Sequence, residues 1–188
     1  MVFLIAHQGL LRKKDNDSTH INLVLRVFDK EDIMATVVDV ASYILNNYGS
    51  LTTMKLQKLA YYSQAQSLVM TGRPLFDEDF QAWMNGPVVP SLFRLHKGRF
   101  FVDPGFFDEF GSPEKLSDEQ KSIIDAVSSV LVRQTGRELS ARTHDEDPWK
   151  DARGDCKPGD FCQTVITKAV IKDYYSKNPV IPEEPRSI

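Results

Sequence analysis

No stretch of this 188-residue chain approaches the roughly 20 apolar residues that a membrane-spanning helix needs, so no such helix is expected. Cysteine is scarce. Cys156 and Cys162 are too few for a disulfide framework and are not spaced as a CxxC redox pair, so a reducing, cytoplasmic setting is expected. Neither sign of charge dominates: 23 Lys and Arg against 26 Asp and Glu leave a net charge of −3, which argues against a nucleic-acid scaffold. Walker A, GxGxxG, HExxH, EF-hand and GxSxG patterns are all missing, and with them the common signatures of nucleotide, zinc, calcium and serine-hydrolase chemistry. No cofactor and no metal site are expected. There is no internal repeat and no low-complexity block.

What remains has the balance of a globular domain, with 41% apolar and 26% charged residues. The organising stretch runs from Leu51 to Pro90. Leu56, Leu59, Ala60 and Met70 fall together on a helical wheel, and Tyr61, Tyr62, Ala65, Leu68 and Val69 occupy the other sides. Only Gln57, Ser63, Gln64 and Ser67 leave a narrow polar seam, so this is a central helix buried among other elements. Lys55 and Lys58 are expected to keep their amines wet while their stems cover apolar surface. Gly72 and Pro74 stop the helix. Phe80, Ala82 and Met84 then alternate with Gln81, Trp83 and Asn85 as a short half-buried strand. Asn85-Gly86-Pro87 is a rigid turn, and Pro90 opens a short helix over Ser91–His96.

The flanks are mainly helical. Thr36 and Asp39 form a capping box ahead of the stripe Val37, Val40, Ala41, Ile44 and Leu45, which Gly49 closes. The Phe-rich segment from Lys97 to Ser112 is read as irregular. Ser117 and Gln120 cap a helix whose stripe of Ile123, Ile124, Val127, Val130 and Leu131 faces the core, and Gly136 is expected to end it. A further turn or two covers Glu138–Arg142, helix is left at Pro148, and Lys150–Asp160 is a loop. Thr167 caps a last helix through Tyr175, with Ile166 and Ile171 as its hydrophobic staple. Asn178–Ile188, with three prolines, is expected to be an extended, mobile tail. The expected fold is therefore mainly α: one compact helical domain over residues 34–177, with a small β element near residues 79–89.

Few residues suggest chemistry. His144 lies beside Asp145, Glu146 and Asp147 and ahead of Trp149. It reads as a structural histidine bonded to backbone in a loop, as a partner contact, as a base serving Cys156 or Cys162 as nucleophile, or as a metal ligand with Asp147 and the cysteines. Neither of the last two has a recognisable spacing. Trp83 and Trp149 fit a core, or an interface if one of them reaches the surface beside Gly86-Pro87. Gly86-Pro87-Val88 is a rigid corner, or an exposed edge that engages a partner. Lys55, Lys58, Arg94, Lys97 and Arg99 form a basic patch if the central and short helices lie side by side, and otherwise a solvated scatter.

One ordered set of motifs goes further: Lys55-Leu56-Gln57-Lys58-Leu59-Ala60-Tyr61-Tyr62, Gly72, Pro74-Leu75-Phe76, Ala82-Trp83, Gly86-Pro87-Val88, Pro90, Thr143-His144, Pro148-Trp149 and Ala152-Arg153. It resembles the Panacea domain of SocA-like antitoxins, also known as GepA or phage-associated proteins, over Ala35 to about Lys177. The resemblance implies a bacterial or prophage antitoxin, not an enzyme, that binds and neutralises a toxin encoded beside it. One branch resembles an adaptor that presents its toxin to the ClpXP protease. The partner-binding residues so implied are Lys55, Lys58, Tyr62, Trp83, Asn85, Gly86, Pro87, Val88, His144 and Trp149. A hydrolase centred on His144 is the alternative from another class.

Residues 1–33 stand apart. Met1–Leu11 is apolar without a basic lead-in or a cleavage site, so it is a poor signal peptide. The segment is either an extension adding an edge strand at Ile21–Phe28 or, the reading preferred here, a mis-called start. Lys30-Glu31-Asp32 is encodable by a purine-rich stretch like a ribosome-binding site just before Met34. Mass spectrometry of the native protein is expected to give an intact mass that begins at Met34; one that begins at Met1 would overturn this reading.

Overall fold

A computed structural model describes residues 34–157 and 159–181. The expectations for residues 1–33 and for the chain beyond Ile181 lie outside the described residues. Helix α1 (Val37–Tyr48) is followed by β1 (Leu51–Thr52), α2 (Thr53–Thr71), β2 (Phe80–Trp83), β3 (Gly86–Val88) and α3 (Pro90–His96). Next come β4 (Phe101–Val102), a 3₁₀ turn (Pro113–Lys115), α4 (Asp118–Leu131), α5 (Gly136–Asp145), α6 (Asp147–Arg153), β5 (Val165–Ile166) and α7 (Lys168–Lys177). The mainly helical class with a small β element is what the structure shows. Among the described residues no helix is long and apolar enough to cross a membrane.

Helix α2 is the centre. Leu56, Leu59, Ala60, Tyr62 and Ala65 are fully buried, and Thr52 caps the helix by accepting the Lys55 amide. Its last turn runs past the core, so Met70 is exposed rather than packed beside Leu56. The polar seam does not face water either. Gln64 accepts the Leu75 amide (2.7 Å) and donates to the Phe76 carbonyl (2.8 Å). Gln57 does the same for both backbone groups of Val89 (2.9 and 3.4 Å) and also meets His96 Nε2 at 3.1 Å. Ser67 donates to the Arg73 carbonyl at 2.9 Å. Lys58 corrects the wet-amine expectation: the side chain is entirely buried and Nζ donates to the Pro87 carbonyl at 3.0 Å. These polar groups serve the backbone of residues 73–89 as it passes.

That returning segment forms the sheet. β2 lies between β3 and β5, antiparallel to both, with Ala82 opposite Pro87 and Phe80 opposite Ile166. Phe80 and Ala82 point inward, and Phe80 joins Tyr61 and Phe76 in an edge-packed aromatic cluster with centroids 5.0–5.9 Å apart. A second, two-stranded ladder pairs β1 with β4. The Phe-rich segment is thus partly regular. It buries Phe107 and leaves Phe100, Phe101 and Phe110 exposed.

Helix boundaries depart from expectation at two points. α4 ends at Leu131, and Gly136 opens α5 instead of closing α4. A Cβ at Gly136 would stand 2.9 Å from Thr52 Oγ1 and 3.0 Å from the Lys55 amide, so glycine lets the first turn of α5 sit against that of α2. Pro148 lies in the first turn of α6, where its missing N–H costs nothing, so the loop starts at Gly154. Val130, placed in the core stripe, is exposed. The capping boxes at Thr36–Asp39 and Ser117–Gln120 are present, and Ile166 and Ile171 are both buried around the Thr167 cap.

Asp39 does more than cap. It is fully buried and also accepts the Ser112 amide at 2.6 Å. Burial pushes its carboxyl up, but the Thr36 and Ser112 amides outweigh this and hold it below the usual value. Beyond α7, Val180 is buried and its carbonyl accepts Arg142 Nη2 at 2.8 Å, so the start of the expected tail is docked. Cys156 and Cys162 are joined in a disulfide, against expectation; six residues apart in a Gly-containing loop, their Cα atoms come to 6.2 Å, within reach of a bridge.

Gln64→Ala would orphan two buried backbone groups at once, and a loss of about 3 kcal/mol in urea unfolding is expected. A loss under about 1 kcal/mol would mean that the clamp does not hold this segment.

Candidate functional site: the Asn85-Gly86 corner and its groove

The corner between β2 and β3 is fixed from outside itself. Gly86 has φ +95°, and a Cβ there would stand 2.5 Å from both Lys58 Cε and Thr143 Oγ1. Only glycine fits between α2 and α5 at this point. Successive carbonyls are then taken up by side chains of other elements: Ala82 by Arg153 (3.2 Å), Trp83 by Trp149 Nε1 (2.9 Å), Asn85 by Ser140 (2.9 Å) and Pro87 by Lys58. Burial lowers the Lys58 ammonium to a pKa of about 7.

Several expected contact residues are therefore interior. Lys58, Tyr62, Gly86, Pro87 and Val88 are all buried. Tyr62 donates to Glu146 Oε2 at 3.0 Å, Tyr175 donates to the same oxygen at 2.5 Å, and Arg142 Nε reaches Oε1 at 3.2 Å. Burial raises the Glu146 carboxyl despite these partners. Lys55 is half-buried, with Nζ on the Val132 carbonyl, and burial lowers its pKa. With Lys58 in the core and Lys55 committed to α4, the basic patch with Arg94, Lys97 and Arg99 is not assembled.

Asn85 is exposed, and Trp83, His144 and Trp149 are half-buried. Trp83 packs edge-on against Phe93 and the exposed Phe161, with centroids at 4.8 and 5.0 Å. His144 sits on α5, not in a loop, and stacks on Trp149 at 4.0 Å and 18°. Burial, then the charges of Lys58 and Arg153, hold its imidazole below the usual histidine value against the pull of Asp145. The chemistry proposed for it lacks its other parts. The two cysteines are bonded to each other, and among the described residues no group of three His, Cys, Asp or Glu side chains is placed to hold a metal.

Beside the corner lies a groove of about 660 Å³ between the first turns of α2 and α5. Asn85 and His144 border it, as do Met54, Phe100, Arg137, Ser140 and Ala141, none of which the motif set contains. Arg137, Ser140, Ala141 and His144 share one face at helical spacing. That signal was hidden because the expected helix began two residues late and stopped at Arg142.

The family model "Antitoxin SocA-like, Panacea domain" matches residues 56–150, half of the chain. The chain belongs to this family. The matched interval holds most of α2, the sheet corner, α4 and α5, and so most of the groups that clamp the corner. Among curated proteins the chain is similar to Antitoxin SocA of Caulobacter vibrioides (strain NA1000 / CB15N), at 39% identity over 59 residues. That match covers 29% of this chain and 31% of the relative, so under a third of the relative is spanned. No solved structure gives a significant match.

The buried lysine makes stability depend on pH in a defined direction. Its pKa is about 7 when folded and about 10.4 when unfolded, so between those values the unfolded chain binds more protons and stability rises with pH. Below pH 7 the full cost of burying the ammonium is present. Thermal melts are expected to show wild type gaining on Lys58→Met between pH 7 and 9.5; a pH-independent difference would contradict a buried, neutralised Lys58.

Proposed function

We propose that this protein is the antitoxin of a toxin–antitoxin pair, acting in the cytoplasm, and that it neutralises its toxin by direct contact through the face carrying Asn85 and the adjoining groove. Family membership supports the antitoxin role, and the curated relative carries the same name. The observation that supports direct contact is the corner itself. Five side chains from three helices, Gln57, Lys58, Ser140, Trp149 and Arg153, hold the backbone of residues 82–89, so the surface beside it is set before any partner arrives. A preorganised surface loses little ordering entropy on binding. An interface of about 800 Å² per partner is enough to cover a toxin's working surface. In this reading Trp83, Asn85, His144 and Trp149 contribute to the contact face, while Lys58, Tyr62, Gly86, Pro87 and Val88 hold its shape. No residue is given a catalytic role.

The test is growth rescue. Expression of the protein encoded beside this one is expected to arrest growth, and coexpression of this chain to restore it, in cells with and without ClpXP. Rescue that disappears without ClpXP would make the chain a proteolytic adaptor, and no rescue in either strain would overturn the antitoxin reading.

A further inference from the structure

The groove has an electrostatic character of its own. Arg137 is its one full charge, and no carboxylate is among the residues that line it. Arg137 is exposed and has no carboxylate partner among the described residues, as is also true of Arg94, Lys97, Arg99, Lys121, Arg133 and Lys172; what sets it apart is its place in the groove. The nearest acid in sequence, Glu138, is not among the lining residues and accepts the Thr135 amide at 2.7 Å as part of the α5 capping box. Met54, Phe100 and Ala141 supply apolar surface, and Phe100 is 72% exposed. The first turns of two helices, of 19 and 10 residues, also border the groove, and the first turn of α2 holds no acidic residue. The partial positive end of α2 adds to the field of Arg137, whereas that of α5 is offset by Glu138 in its own first turn.

We infer that this groove receives an acidic segment of the partner protein, with a carboxylate on Arg137 and an apolar side chain against Phe100 and Met54. The inference rests on the antitoxin reading and names the chemistry of the toxin's contact. Nucleic acid is the poorer fit: one unpaired cation does not make a phosphate track, and the chain as a whole is net negative. An Arg with free donors beside apolar surface suits a carboxylate-bearing peptide, because the guanidinium fork grips a carboxylate through two parallel hydrogen bonds.

The experiment measures binding to the purified protein encoded beside this one, together with growth rescue, for wild type, Arg137→Glu, Phe100→Ala and Lys172→Glu. Lys172 is the control. It lies near Gly72, at the far end of α2, about 28 Å away along the helix axis. Arg137→Glu is expected to weaken binding by about 30-fold or more and to abolish rescue. Phe100→Ala is expected to weaken it about 10-fold, and the control to stay within about 3-fold. Both groove residues are exposed, so unchanged melting curves will separate lost contact from lost fold. Wild-type rescue with Arg137→Glu binding within about 3-fold of wild type would overturn the groove assignment and leave the antitoxin role standing. Binding of a single-stranded oligonucleotide that depends on Arg137, with none of the partner protein, would replace the peptide with nucleic acid. A wild-type chain that neither binds nor rescues would overturn both.

Discussion

Everything beside the corner depends on a helix that uses its polar side chains as a neighbouring strand would use its backbone. Gln57 and Gln64, seven residues and two turns apart on α2, each bond an amide and a carbonyl of the chain passing alongside. Segment 73–89 has little regular structure of its own, with its longest strand at four residues. Without those amides, buried N–H and C=O groups at Leu75, Phe76 and Val89 would be left unpaired, each at a cost of about 1–3 kcal/mol. The glutamines thus permit an irregular chain to be buried, and the sheet corner is where that chain turns back.

This arrangement explains which parts of the fold were legible in the sequence. Caps and apolar stripes act locally, so Thr36–Asp39, Ser117–Gln120 and the Thr167 helix were read from spacing alone. A helical wheel gives the angle at which Gln57, Lys58 and Gln64 project but not what lies across from them. The Lys58 amine was therefore assigned to water when it faces backbone, and the seam was left without partners. Gly136 and Pro148 failed for a related reason. Each punctuates a helix from either end, and the choice was set by tertiary contact: the approach of α5 to Thr52 in one case, and a helix restarting after Glu146 in the other. The disulfide was missed because spacing excludes common motifs without excluding a short loop that closes on itself.

The candidate site divides along the same line. Several motif residues, Lys58, Gly86, Thr143, Trp149 and Arg153, proved to be groups that meet at the corner while lying on three helices and one turn. The groove residues Met54, Phe100 and Arg137 lie outside that motif set. A sequence signature can therefore place a chain in its family while saying little about what a particular member touches.

Glu146 adds a constraint in time. It sits where α5 gives way to α6, and one carboxylate oxygen collects the hydroxyls of Tyr62 and Tyr175, more than a hundred residues apart in the chain. During synthesis, the junction next to the clamped corner cannot be completed until α7 has left the ribosome. A nascent chain with the whole family-matched stretch already translated would still hold that buried carboxylate half-satisfied. The finished surface is thus one of the last things translation delivers.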